Sequence, residues 1–261
     1  MKKRIQLLIV IFLSIATYGQ KTIEAETILK DIKEGKTINY TNKTIVGVLD
    51  FTFMEKASKK NTKKKKSWWN RSNKSYNTIN QKIKVAISFT NCTFNDDVLA
   101  YIPDEESGNT FTADFEENSS FINCKFKSSA MFKYSKFSKD SDFSGTNFLD
   151  DTSFKYAKFS TNSSFKETLF SKVATFKYAI FKENVSFENT TFKSSATFKY
   201  AKFNNGVSFQ NVNFEEDLNI KYMNVSGPFI IKKMNVGNNI DDKYTKINGK
   251  SFSKYVLENH N

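Results

Sequence analysis

The chain has 261 residues, 27 of them Phe, and sets 40 Lys and Arg against 27 Asp and Glu for a net charge of +13. Its one His, His260, stands next to the last residue, which leaves no catalytic triad and no His-based metal cluster. There is no phosphate-binding Gly loop or Walker motif, and no carboxylate spacing marks an acid and base, so no catalytic residue, metal or cofactor is expected.

Residues 1–19 read as a secretory signal peptide: Lys2, Lys3 and Arg4 precede an apolar run from Ile5 to Ala16, and a polar, small-residue end places cleavage after Gly19. That run is shorter than the about 20 apolar residues of a membrane anchor, and nothing later could span a bilayer. The expected location is therefore the periplasm, the cell surface or the medium. Loss of the leader leaves 37 basic and 27 acidic residues, a net +10. Within 20–36, Ala25, Ile28, Leu29 and Ile32 fall at helical spacing and Gly35 follows, which predicts an amphipathic helix over 22–34 that caps the next unit.

From Tyr40, Ile45 and Phe51 onward apolar residues step by five and six, and a repeat array is expected over 37–236. Two insertions interrupt it. Residues 55–82 form a basic loop of nine Lys, Arg71 and one Glu, net +9, in which Lys63, Lys64, Lys65, Lys66, Trp68, Trp69 and Arg71 are candidate contacts for an anionic polymer. Asn95 to Glu117 carries −8 and no Lys or Arg, and its Pro103 to Asn109 turn predicts an acidic hairpin over 95–114. Mutual neutralisation of the two insertions is the simpler reading. A calcium loop is the alternative, although the acids do not follow EF-hand spacing.

The central stretch is the most regular. Phe stands at 121, 126, 132, 137, 143, 148, 154, 159, 165, 170, 176, 181, 187, 192, 198, 203, 209 and 214, in strictly alternating steps of five and six. Phe-Lys-Tyr recurs at Phe132, Phe154, Phe176 and Phe198, so the true period is 22 in four segments. A helix would put these Phe on two stripes roughly 140° apart, and the Ser, Thr, Asn and Phe content favours short extended segments. Two residues before each Phe stands a small or β-branched residue, such as Cys124, Ala130, Thr146 or Val185, on the same side as its Phe.

This pairing resembles the pentapeptide-repeat family, whose repeat centres on Leu or Phe with a small residue two places earlier. The resemblance covers Tyr40 to Val236 and implies an all-β fold, a right-handed quadrilateral β-helix, here with 22 rather than 20 residues per coil. Some relatives mimic DNA and protect gyrase, but those are acidic and cytoplasmic, so the likeness extends to fold alone. Asn118, Asp140, Asn162, Asn184 and Gly206 suit enlarged corners. After Val236 the register is lost, and 237–261 is expected to cap the last coil.

Cys92 and Cys124 fall in the small inward slot one coil apart, a distance compatible with a bridge, but a ladder of small residues needs no bond, which favours a buried thiol pair. Two outward columns remain: Lys133, Lys155, Lys177, Lys199 and Lys221, beside Tyr134, Tyr156, Tyr178, Tyr200 and Tyr222. They read either as repetition of an exposed sheet surface or as a strip that docks a glycan, an anionic polymer or a protein. The expected function is an exported non-catalytic scaffold or binding protein, with an anionic-polymer binder acting through the basic insertion as the alternative. The expected partner is a protein or an anionic polymer, nucleic acid being the less favoured polymer.

Overall fold

The computed structural model describes residues 21–54, 77–105 and 107–259. Residues 1–19, expected to be a leader, the basic residues Lys63, Lys64, Lys65, Lys66, Trp68, Trp69 and Arg71, and His260 lie outside the described residues.

One coil shows the plan. Ser141–Asp142, Asn147–Phe148, Thr152–Ser153 and Lys158–Phe159 are two-residue strands on four successive sides. Each pairs in parallel with the strand 22 residues on, as Phe148 does with Phe170 and Phe159 with Phe181. Four sheets of 8, 9, 8 and 10 strands result, almost wholly parallel, here called S1 to S4 in the order in which the chain meets them, starting from Ser141–Asp142. The chain is a four-sided β-helix.

The core is made by the Phe. Successive rings of a column lie parallel, with centroids 5.1 Å apart for Phe143 and Phe165 and 4.9 Å for Phe165 and Phe187. Strand spacing fixes that distance at about 4.8 Å, so the rings stack with an offset. Columns also meet edge to face: Phe165 and Phe176 are 5.3 Å apart at 87°. Both geometries match the aromatic quadrupole, and each ring is buried. Thr fits the small slot because its hydroxyl has a carbonyl to reach. Thr168 Oγ1 donates to the Phe143 carbonyl at 3.0 Å and Thr190 to that of Phe165 at 2.5 Å.

Corner geometry differs from the expected turn slot. Left-handed residues fall two places after a Phe or the residue that takes its place in the column, at Asn123, Gly145, Glu167, Asn189, Asn211 and Lys233 on one corner and at Tyr134, Tyr156, Tyr178, Tyr200, Tyr222 and Tyr244 on the opposite one. Of Asn118, Asp140, Asn162, Asn184 and Gly206, only Gly206 has a positive φ, +90°. The five-residue segment is the one that needs a tight reversal, and the six-residue segment turns without one.

At the first end, Lys21–Glu24 is a strand paired with Lys43–Val46, so the helix starts later than its periodicity suggests, as α1, Ala25–Lys33. Buried Ala25, Ile28 and Ile32 join the core. Part of the basic insertion is also strand: Asn77–Ile83 pairs in parallel with Asn109–Phe115, which folds back antiparallel on Tyr101–Pro103. The end of the basic insertion thus lies against the acidic one, and Lys82 Nζ reaches Glu116 at 2.9 Å.

At the other end the coil outlasts Val236. Ile240–Asp241 and Lys246–Ile247 extend S3 and S4 by another strand each. Asp242 occupies the place of Phe132 and Phe154 in that column, which hides the coil from an apolar count. Lys250–Ser251 then doubles back and α2, Phe252–Asn259, follows, with Tyr255 Oη donating to the Phe229 carbonyl at 2.7 Å. Among the described residues no helix is long and apolar enough to cross a membrane.

Candidate binding ridge

The Phe-Lys-Tyr segments form the corner between S3 and S4. Phe132 points into the core, and the N–H of Ser135 returns to its carbonyl, closing a four-residue turn whose two central residues are Lys133 and Tyr134. The same closure recurs at Ala157 to Phe154, Ala179 to Phe176, Ala201 to Phe198, Met223 to Ile220 and Thr245 to Asp242. The N–H of each Tyr from Tyr134 to Tyr222 also donates to the Lys carbonyl of the next coil, at 2.9 Å for Tyr134 to Lys155 and 3.0 Å for Tyr178 to Lys199. The candidate residues therefore sit on turns, where sequence alone suggested a sheet surface.

Turn position makes the tyrosines costly. Each has φ between 58° and 64°, a region that costs a non-Gly residue roughly 1–2 kcal/mol. Stacking offsets this. Tyr134, Tyr156, Tyr178, Tyr200 and Tyr222 lie with ring centroids 4.6–4.7 Å apart and planes within 3°. Tyr244 continues the column at 4.8 Å, and Tyr101 of the hairpin closes its other end at 5.8 Å from Tyr134. Neither end was read from the sequence. Tyr244 follows Asp242 rather than Phe, and Tyr101 arrives from an insertion.

Each Lys ammonium lies over its own Tyr ring, 5.4 Å from the centroid for Lys155 and 5.3 Å for Lys177. Lys133 is buried under the hairpin, 4.1 Å from the Tyr101 ring and hydrogen-bonded to its hydroxyl at 2.9 Å. Burial, then the Lys155 charge, pulls the Lys133 amine down to about 8. Burial and Lys177 lower Lys155 as well. Burial, followed by neighbouring tyrosines, raises the Tyr134 and Tyr178 hydroxyls.

A second lysine column went unnoticed in the sequence. Lys136, Lys158, Lys202 and Lys246 are exposed on S4 two residues after each Tyr, with Ile180 and Asn224 in the intervening coils. Their signal was present in the Phe-Lys-Tyr-x-Lys spacing. Across the segments 132–138, 154–160, 176–182, 198–204 and 220–226 there is no Asp or Glu. The corner is thus a straight, convex ridge about 24 Å long over six coils at about 4.8 Å each, free of acids between Asp114, which accepts from the Lys136 N–H at 2.8 Å, and Asp242 of the sixth coil.

Other places offer less chemistry. Cys92 and Cys124 are free buried thiols whose Sγ–H groups point at the carbonyls of Tyr40 and Phe89, both at 3.4 Å. The hydrogen bond with Cys92, and burial after it, push the Cys124 thiol up. An open groove of about 430 Å³ runs along S1, lined by Ser141, Ser163, Ser164, Ser186 and Ser208, with Lys166 paired to Glu188 at 2.7 Å. Among the described residues no three His, Cys, Asp or Glu are grouped to hold a metal ion.

Fold and ridge together define a β-helical repeat protein with a basic, aromatic corner. Residues 112–158, 132–180 and 176–223 match a family model described as pentapeptide repeats (9 copies). The repeats of residues 112–223 are pentapeptide repeats in a Phe-rich form. No curated protein and no solved structure matches the chain.

Proposed function

We propose that this repeat scaffold is an exported, non-catalytic binding protein that docks a macromolecular partner along the Lys and Tyr ridge. Proteins of its family are generally structural or binding proteins, and the leader pattern of residues 1–19 supports export.

The observation that carries the ridge is a comparison of two corners of one repeat. At the opposite corner, the pair in the same turn positions varies from Ile122-Asn123 to Ser144-Gly145, Lys166-Glu167, Glu188-Asn189, Gln210-Asn211 and Lys232-Lys233. At the ridge it is Lys-Tyr in all six coils. Copying of a 22-residue unit would preserve both corners alike. Turn chemistry favours Asn and Gly at such positions, and stacked lysines repel one another. A pair that is locally unfavourable and yet invariant along the chain fits a surface held for contact.

Changing Lys155, Lys177 and Lys199 to Glu with Tyr156 and Tyr178 to Ser tests this. The variant should no longer retain the partner that the mature protein captures from its own envelope fraction, while remaining folded by circular dichroism. Undiminished capture would reject the ridge and direct attention to residues 55–82.

A further inference from the structure

We infer that the partner of the ridge is a linear acidic polysaccharide, one with a carboxylate on each sugar. This rests on the ridge being a docking surface, and it follows from what the ridge presents and what it withholds.

The ridge is convex and straight, so it suits an extended partner rather than a small molecule. Two lysine columns flank the tyrosines, and no carboxylate interrupts five consecutive segments. Its complement is therefore anionic. The ring faces, however, are already taken: with planes within 3° and centroids 4.6–4.7 Å apart, each inner Tyr is covered on both sides by its neighbours. Single-stranded nucleic acids are held by bases stacked on open aromatic faces. This column offers edges and hydroxyls instead.

Duplex DNA carries its phosphates around a helix, and a straight rail would meet them over a short arc only. A protein interface would place aromatic or Arg anchors in pockets and deplete Lys at its centre. Here Lys dominates and Ile180 is the single aliphatic side chain on the S4 strand positions beside the tyrosines between Lys136 and Lys202. An extended polyuronate repeats one carboxylate per sugar at a rise close to the coil spacing. Its carboxylates would meet Lys155, Lys177 and Lys199, and its hydroxyls the Tyr Oη row.

Titration of the mature protein with polygalacturonate oligomers tests this, with dextran, oligo-dT and phosphatidylglycerol vesicles as comparison ligands. Affinity should rise with length up to five sugars, one per Lys-Tyr turn beyond the buried Lys133, then level off, and should fall steeply with salt. K155E/K177E/K199E should weaken binding about tenfold or more, whereas K127E/K172E/K193E, of equal net charge but off the ridge, should stay within about twofold. Tighter binding of oligo-dT or of the vesicles, or equal losses from the two triple variants, would overturn the inference. So would absence of polygalacturonate binding. If that absence accompanies loss of envelope capture by the ridge variant, the polysaccharide falls and the ridge as a docking surface stands.

Discussion

Replacing Phe176 by Ala strikes the array where its packing is densest. Phe176 is fully buried and stacks on Phe154 at 5.1 Å and on Phe198 at 4.9 Å. Its edges meet Phe165, Phe170 and Phe187 near 90°. Core Phe to Ala changes cost about 3–5 kcal/mol, the cost rising when the site cannot collapse. Collapse is blocked here, because backbone ladders above and below hold the coils at their spacing, as the Phe176 N–H to Thr197 carbonyl bond of 2.8 Å does. Two stacked pairs and three edge contacts are lost with the ring. The expected loss is therefore toward the upper end, about 4–5 kcal/mol, measured by urea unfolding followed by circular dichroism. Phe176→Leu, which fills much of the volume, should cost less than half as much. An Ala variant weakened by under about 1 kcal/mol, or a Leu variant as weak as Ala, would refute the column as the main source of stability.

Removing Phe154 to Thr175 takes out one 22-residue coil and should leave a folded, shorter rod, whereas removing 154–173 should not; size-exclusion chromatography and circular dichroism would show it, and equal tolerance would contradict the coil length. Lys133→Met should stabilise the protein at pH 7. The Lys133 amine titrates near 8 in the fold against its ordinary 10.5, so the unfolded chain binds more protons between those values and wild-type stability rises with pH there. The advantage of Met, followed as Tm against pH, should hold below pH 8 and shrink above it; a constant advantage would show that Lys133 is not destabilised by its burial. Intact mass of the exported protein should place its first residue near Gln20, and retention of Met1 would defeat the leader reading.

The Phe columns were legible because backbone pairing forces a fixed period, and any residue that obeys it must stack on its counterpart one coil away. Conformation was less so. Rules for left-handed residues name Gly, Asn and Asp, and they pointed to Asn162 and Asn184, while the fold places Tyr156 and Tyr178 there, supported by contacts between coils that no local rule contains. The last coil was hidden by a single Asp242 in a Phe place. Asn77–Ile83 was hidden by its polar alternation beside a lysine-rich run, since its partner Asn109–Phe115 lies 32 residues on. Of the ridge, the paired columns were visible as repetition. Its second lysine column, its Tyr101 end and the burial of Lys133 depend on which side each strand faces and on where the hairpin folds back.

Whether the ridge is a contact surface is tested most directly by lysine footprinting. The mature protein is acetylated with and without its captured envelope partner, and modification is read residue by residue by mass spectrometry. Lys155, Lys177, Lys199 and Lys158 should be protected in the complex, while Lys127, Lys172 and Lys193, exposed away from that corner, should react as they do in the free protein. Equal modification of the ridge lysines in both states, with protection elsewhere, would contradict it.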